Sequence, residues 1–257
     1  MRVQVQDATV NPENLVVRCA RNDYKEDWVG DYSDEELIAE FQQDGETLED
    51  AKERFIIRTL IKKGHYGPFE HPQISFAIEG VSRSLMAQIT RHRTGITFDI
   101  QSQRYVDFTD TSPHDLIKTP KSVREVDAAN RSPDSRDITE IMAEYDVEDE
   151  RELQEMRERV YNQAIVNSVS AYNTLRDLGT PPEDARFVLP VGSKVNMTVT
   201  MNARTLLHIA DMRAQADAQW EVAELTGKLL DEAEKWMPHT FGYYRSEMIH
   251  RKNRLAP

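Results

Sequence analysis

The sequence predicts an α+β protein in which a small, mostly antiparallel sheet packs against several helices. Three segments with alternating polar and apolar residues predict strands, at residues 1–10, 73–80 and 194–201. Between them, apolar residues recur at helical spacing, and one long helix is predicted in the second half of the chain. Because no internal repeat and no Pro/Gly/Ser linker divides the 257 residues, a single domain over 1–257 is predicted.

Three helices are predicted in the first third of the chain. Residues 12–20 are compatible with a strand or a buried helix, and Pro12 near the start favours the helix. Ser33 and Glu36 have the spacing of a capping box, which begins a helix. Residues 47–63 carry an apolar stripe along one helical face and end at a glycine, which is typical of a helix stop.

The middle of the chain predicts a loop, a strand and a helix in succession. Residues 65–72 are rich in Gly and Pro and predict a loop before the strand at 73–80. Residues 82–91 have helical spacing, and residues 101–108 predict an extended segment. Helix before and extended chain after would place the intervening charged residues around a bend.

The second half predicts mostly helix. Residues 138–178 predict one long helix, and the acidic stretch at about 125–150 is interpreted as a peripheral insertion. After the strand at 194–201, residues 203–212 and 214–236 predict two further helices.

The composition restricts the class of protein. The chain has 45 Asp+Glu against 32 Lys+Arg, a net charge of −13, so its surface should repel nucleic acid. No apolar run is long enough to span a membrane and no secretory signal is evident, so a cytoplasmic location is expected. Cys19, the one cysteine, excludes an internal disulfide and is interpreted as a small core residue rather than a reactive thiol.

Familiar cofactor and metal motifs are missing from the sequence. His65 and His71 lie in the Gly/Pro-rich loop, but no HxH or HxxxH pair accompanies them, so no metal site is predicted. Neither GxGxxG nor GxxxxGK[ST] occurs, which excludes these glycine-rich phosphate loops. No GxSxG element supports a serine nucleophile.

Three arginines and one histidine are concentrated within fourteen residues. Arg91, His92 and Arg93 are followed by Ser102 and Arg104. A guanidinium matches a phosphate with its planar fork of donors, and each charge-assisted hydrogen bond contributes roughly 1.5–3 kcal/mol, so three or four would hold a nucleotide monophosphate. A solvated arginine face paired with surface acids explains the same pattern. The residues alone leave both interpretations open.

A second polar cluster lies further along the chain. Arg204 and His208 are four residues apart and share a helical face, and Arg213 follows. Trp220 has helical spacing to Leu225, which is more typical of a core residue than of a cofactor contact. Taken alone, these residues carry no functional assignment.

Five pieces of the sequence occur in the order of the motifs of one known family. They are Pro68 to His71 (PFEH), Arg91-His92-Arg93 with Ser102-Gln103-Arg104, Arg186 to Pro190 (RFVLP), Asn202-Ala203-Arg204, and Arg213-Ala214 with Ala218 to Glu221 (AQWE). Together they closely resemble the flavin-dependent thymidylate synthases, whose central motif has the form RHR…SxR. The likeness covers nearly the whole chain. One departure is the spacer between Arg93 and Ser102, which has one residue more than the common form.

The resemblance implies a reaction, a set of cofactors and an assembly. The family methylates dUMP to dTMP with 5,10-methylenetetrahydrofolate as carbon donor and FADH2, regenerated by NADPH, as hydride source. It forms homotetramers whose active sites are shared between subunits. It needs no enzyme cysteine as nucleophile, which agrees with the interpretation of Cys19 as a core residue.

The resemblance also implies roles for individual residues. Those implied to bind dUMP are Gln88, Arg91, Gln101, Ser102, Gln103, Arg104, Arg186 and Arg213. Those implied to bind FAD are His71, Arg91, His92, Arg93, Asn202, Ala203, Arg204 and His208. Arg213 is implied as the catalytic residue, because a guanidinium against the uracil ring favours its polarised, N3-deprotonated form.

Two other classes of protein would also explain the arginine cluster. One is a non-catalytic nucleotide-binding regulator, and the other is a flavin-free nucleotide hydrolase. Neither accounts for the matched block at 202–221. A yellow protein that bleaches on reduction would favour the flavin enzyme over both.

Overall fold

The computed structural model describes residues 1–125, 136–215 and 217–249. They belong to two compact units. The first contains residues 1–79 and 88–99 and the chain from 197 onward, and the second contains residues 80–87 and 100–196. The elements below confirm the α+β class, and the single-domain organisation over 1–257 stays a prediction. Within the described residues, no helix is both long and apolar enough to cross a membrane.

The sheet has four strands among the described residues. In chain order they are β1 (Arg2–Ala8), β2 (Gln73–Ser82), β3 (Ile96–Ile100) and β4 (Lys194–Asn202), and their order in the sheet is β1-β2-β4-β3. β1 is antiparallel to β2, with Val5 opposite Phe76. β4 is antiparallel to β3, since Asn202 N donates to Gly95 O whereas Gln101 N donates to Asn196 O. The three predicted strands are therefore confirmed, and β3 is an addition to them.

The helices surround this sheet in chain sequence. They are α1 (Pro12–Asn22), α2 (Asp34–Ala39), α3 (Leu48–Arg54), α4 (Arg83–Ile89), α5 (Pro113–Leu116), α6 (Lys121–Arg124), α7 (Ile138–Tyr145), α8 (Glu150–Asp177), α9 (Pro182–Ala185), α10 (Ala203–Arg213), α11 (Trp220–Trp236) and α12 (Pro238–Tyr243). Shorter 3₁₀ turns span Val29–Asp31, Gly67–Glu70 and Arg186–Val188, and π-helical turns span Phe55–Ile61 and Tyr244–Met248.

The helix starts predicted in the first third are confirmed. Pro12 begins α1, and Ser33 caps α2 in a complete capping box with Glu36. α3 continues through the π-helical turn, so that the predicted stripe buries side chains such as Ile56 and Leu60. The core of the first unit also contains large side chains from the strands and the C-terminal helices: Phe69, Phe76, Leu206, Leu229 and Phe241.

Three predictions of the sequence were wrong in their local detail. The long helix at 138–178 is broken, because Asp146 adopts a left-handed conformation (φ 54°) that ends α7 and Asp149 then caps α8. The helix predicted at 214–236 begins only at Trp220, where Gln219 caps it by accepting from two backbone N–H groups. The segment at 101–108 is not extended but turns, with Val106 N donating to Ser102 O. Of the predicted insertion at 125–150, residues 126–135 lie outside the described residues.

Asp107 fixes the end of the turning segment to α8. Its carboxylate accepts hydrogen bonds from Arg176 Nη2 (2.7 Å), Tyr172 Oη (3.0 Å) and Thr109 Oγ1 (2.6 Å). The Arg176 guanidinium, followed by Thr109, holds the pKa of Asp107 far below its usual value of 3.8. For a carboxyl with a lowered folded-state pKa, this stabilisation is present above the unfolded-state value and declines as the pH falls below it.

We therefore expect Asp107→Asn to destabilise the protein more at pH 7 than at pH 2.5. Thermal unfolding of both proteins at the two pH values measures this difference. Asp44→Asn is the matched control, since Asp44 is exposed. An equal loss of Tm at both pH values would contradict the role of the Asp107 charge.

Candidate active site

The Arg91-His92-Arg93 motif lies where α4 ends and the chain turns toward β3. The backbone N–H groups of Arg91 and His92 donate to the carbonyls of Gln88 (3.3 Å) and Ile89 (3.1 Å), which closes the helix. Arg91 and Arg93 are exposed, and neither makes an ion pair or side-chain hydrogen bond with any residue in the described part of the chain. Two uncompensated cations on a protein of net charge −13 form a surface suited to an anion.

His92 points the other way, into the first unit. Its side chain is only 8% exposed. Its Nε2 accepts a hydrogen bond from Arg213 Nε at 3.3 Å, and its ring meets that of His208 edge to face, with ring centroids 5.6 Å apart. Burial, the charge of Arg213 and then His208 lower the pKa of His92 from 6.5 to about 4. His92 is therefore a neutral imidazole at pH 7.

The start of α10 holds the loop after this motif in place. Asn202 caps the helix, because its Oδ1 accepts from Thr205 N (2.8 Å), and its own N donates to Gly95 O (3.0 Å). Thr205 Oγ1 donates to Thr94 O (2.8 Å). Gly95 has φ +66°, and a Cβ there would lie 2.5 Å from both Asn202 Nδ2 and Thr205 Oγ1. Only glycine fits this backbone and this space.

The PFEH loop meets the same helix start. Ala203 N donates to Pro72 O (3.1 Å), and Arg204 forms an ion pair with Glu70. His71 is exposed beside a cavity of about 420 Å³, which is lined by Cys19, Asp23, Gly67, Pro68, Glu70 and His71. The first unit thus brings His71, Asn202, Ala203 and Arg204 together around one helix start.

The second unit holds the other predicted site residues. Ser102 Oγ accepts from Arg104 N (3.2 Å), and the Arg104 side chain pairs with Glu183 (2.5 Å). Arg186 Nε donates to the carbonyl of the same Glu183 (3.0 Å). Glu183 therefore connects two residues that are far apart in the sequence.

Gln101 and Gln103 have different environments in that unit. Gln101 N donates to Asn196 O (2.8 Å), and Gln101 Oε1 accepts from Asn196 N (3.3 Å), so this residue extends the pairing of β4. Gln103 is only 3% exposed, and its Nε2 has no hydrogen-bond partner among the residues that the structure describes.

Sequence reasoning missed several residues that build these sites. Glu70 lies inside a quoted motif, but the pattern gives no signal for its pairing with Arg204. Gly95, Thr205 and Glu183 lie outside the quoted motifs, and only the fold reveals their contacts. The prediction that Cys19 is a core residue was wrong, because the side chain is half-buried beside the cavity. Within the described residues, no cluster of His, Cys, Asp and Glu could hold a metal ion.

Comparison with known sequences agrees with these motifs along almost the whole chain. The sequence profile of the family described as thymidylate synthase complementing protein matches residues 4–239. The flavin-dependent thymidylate synthase of Halobacterium salinarum is 52% identical over the full length of both chains, and that of Haloarcula marismortui is 48% identical over the full length of both. The enzyme of the same name from Nitratidesulfovibrio vulgaris is 31% identical and covers 94% of this chain and 86% of its own.

Solved structures support the fold. The UMP/dUMP methylase PolB from Streptomyces cacaoi, bound with 5-Br dUMP, superimposes with a TM-score of 0.71 at 22% identity and covers 95% of this chain and 94% of its own. The α+β arrangement of strands and helices is thus shared with that protein. On the strength of the matched profile and the full-length relatives, this chain belongs to the flavin-dependent thymidylate synthase family.

Proposed function

We propose that this chain is an FAD-dependent thymidylate synthase that converts dUMP to dTMP, with 5,10-methylenetetrahydrofolate as carbon donor and NADPH as the source of reducing equivalents. The observation that carries the proposal is the full-length similarity to enzymes of that name, at up to 52% identity. A cytoplasmic location is part of the proposal.

The first unit offers groups that fit FAD. The cofactor presents a pyrophosphate, and the exposed, uncompensated guanidinium groups of Arg91 and Arg93 are suited to it. We infer that these arginines hold it together with the other residues of the predicted set: His71, His92, Asn202, Ala203, Arg204 and His208. When bound, the flavin supplies the hydride that reduces the transferred methylene to a methyl group. The protein contributes binding, orientation and charge.

The residues predicted for dUMP divide into two roles. Ser102, Gln103 and Arg104, with Gln101 and Arg186, offer hydroxyl, amide and guanidinium donors of the kind that bind phosphate. Gln88, Arg91 and Arg213 complete the proposed set. Arg213 acts on the ring, where its positive charge stabilises the negative charge that develops when the uracil is deprotonated at N3 and polarised.

The environment of Cys19 supports a reaction without a cysteine nucleophile. Burial, followed by the negative charge of Asp23, raises the pKa of the Cys19 thiol. A nucleophilic cysteine needs the opposite shift, because the thiolate is the reactive form. Cys19 therefore has no task in the proposed chemistry.

We expect Cys19→Ala to retain dTMP formation within about twofold, because a half-buried thiol contributes only packing. The assay is dTMP formation from dUMP with methylenetetrahydrofolate, NADPH and FAD. A loss of hundredfold or more in a folded protein that still binds FAD would contradict a mechanism without a cysteine nucleophile.

We further propose that the protein is a homotetramer with shared active sites, and that one face of α8 meets a second copy. Residues 160–175 of this helix carry no charged side chain, on a chain with net charge −13. Val160 is 68% exposed there, and Val166 is also exposed. Because two acidic copies repel each other, an uncharged apolar face is where they can approach most closely.

Val160→Glu is therefore expected to dissociate the assembly into smaller species, as measured by sedimentation or light scattering. Tyr145→Glu on α7 is the matched control, since it also replaces an exposed apolar side chain. An unchanged mass in Val160→Glu would remove this face from the proposed interface.

The decisive experiment for the function measures dTMP formation in the presence and absence of FAD. The proposal predicts a yellow protein that bleaches on reduction and makes dTMP only when dUMP, methylenetetrahydrofolate and reductant are all present. A colourless protein that ignores added FAD would overturn it in favour of a nucleotide-binding regulator or a flavin-free hydrolase.

A further inference from the structure

The contact between His92 and Arg213 joins two motifs that are 121 residues apart in the sequence. Arg213 is the last residue of α10, and His92 lies in the turn after α4. The hydrogen bond runs from Arg213 Nε to His92 Nε2 at 3.3 Å, and both residues belong to the first unit. The His92 side chain is buried, so solvent does not compete freely for this contact.

The direction of this bond fixes the chemical state of the imidazole. A guanidinium in a protein is always protonated and can only donate, so Nε2 of His92 must be the acceptor. An imidazolium has no acceptor nitrogen. His92 must therefore be neutral and carry its one proton on Nδ1. The lowered pKa of His92, about 4, is consistent with this state at neutral pH.

The bond also restricts the arginine. A free arginine side chain has roughly 2 kcal/mol of rotamer entropy to lose when it is ordered against a ligand. Here Nε is committed to His92, which leaves the two terminal nitrogens of Arg213 for a ligand. A guanidinium oriented in advance binds with a smaller entropy cost and at a defined angle.

We propose that His92 is a positioning residue for Arg213, acting through a neutral imidazole whose Nε2 accepts from the guanidinium. This role is additional to the FAD contact proposed above for His92. It rests on the proposed function, because it assigns to Arg213 the contact with the uracil ring.

The first test needs no substrate. Nitrogen-15 NMR of histidine-labelled protein reports which ring nitrogen carries the proton. We expect His92 to have the Nδ1–H tautomer at pH 7 and to lose this preference in Arg213→Ala. Protonation at Nε2 in the wild type, or an unchanged tautomer in Arg213→Ala, would overturn the proposal.

The second test is a double-mutant cycle on dUMP affinity, measured by calorimetry at saturating FAD. His92→Phe keeps a ring but removes the acceptor, and we expect dUMP to bind about tenfold more weakly. His92→Gln keeps an acceptor oxygen and should bind dUMP within about threefold of wild type. In the Arg213→Ala background, His92→Phe should change the affinity by less than about twofold.

The outcomes separate this inference from the proposed function. Equal losses of affinity with and without Arg213 would mean that His92 acts independently, and no loss would mean that it does not act at all. Either result overturns the positioning role while dTMP formation stands. A wild-type protein that makes no dTMP would overturn the function, and the tautomer would still decide the positioning role. His114→Phe is the matched control, since His114 is exposed.

Discussion

Arg213→Ala is expected to lose most dTMP formation while FAD stays bound. Arg213 ends α10, and His92 orients its guanidinium through Nε. Removal of one preorganised group that stabilises developing charge typically lowers kcat about 10²–10³-fold. We expect a loss of that size. The flavin should remain, because Arg91 and Arg93 are exposed cations outside this contact.

The flavin absorbance and the rate of dTMP formation, measured on the same preparation, check this prediction. Arg245→Ala is the matched control, since Arg245 lies in the first unit but is paired with Asp231 and Glu234. Turnover within about threefold of wild type in Arg213→Ala would remove Arg213 from the catalytic role. Loss of the flavin would instead assign Arg213 to cofactor binding.

Gly95→Ala is expected to destabilise the first unit and to weaken FAD binding. The left-handed backbone costs a residue with a Cβ about 1–2 kcal/mol. The new methyl group would also lie 2.5 Å from Asn202 Nδ2 and Thr205 Oγ1. Forcing extra volume into a packed site typically costs a further 1–3 kcal/mol or so. Since Asn202 and the arginine loop must both shift, the proposed cofactor residues move with them.

Two other glycines separate the two costs of this substitution. Gly45 has φ +82° but nothing within 4 Å of its added Cβ, so Gly45→Ala carries the backbone strain alone. Gly227, on α11, has open space and no positive φ, so Gly227→Ala should be neutral or slightly stabilising. Chemical unfolding of the three variants should give the largest loss for Gly95→Ala. Equal losses for Gly45→Ala and Gly95→Ala would show that the contact with Asn202 and Thr205 is unimportant.

Local signals allowed much of the fold to be predicted. The capping box at Ser33 and the proline at the start of α1 act within a few residues, so the sequence contains all the information they need. The three alternating segments became strands because their apolar side chains face the core on alternate positions. These features depend little on the rest of the molecule.

The missed breaks depend on single residues that override a favourable pattern. Asp146 stands in an amphipathic stretch, yet its left-handed backbone ends α7, which aspartate tolerates better than most residues. Residues 214–218 contain several alanines, which favour a helix, but α11 starts only after the Gln219 cap. Glutamine is not among the preferred capping residues, so the sequence gave little warning of this start.

The candidate site was predictable as a set of residues but not as a set of contacts. The motifs, through their resemblance to a known family, identified Asn202, Arg204 and Arg213. The partners of these residues come from distant segments, such as Gly95 for Asn202 and Glu70 for Arg204. No local pattern encodes such pairs, because they are set by the tertiary fold.

The junction of two loops on the start of α10 links ligand occupancy to thermal stability. Asn202 and Thr205 bind the arginine loop, and Ala203 and Arg204 bind the PFEH loop, so the first turn of one helix fastens both. A cofactor that binds only the assembled junction shifts the unfolding equilibrium by mass action, by about 2.7 kcal/mol at a hundredfold excess over its dissociation constant. The melting temperature of this protein therefore becomes a meter of its flavin content.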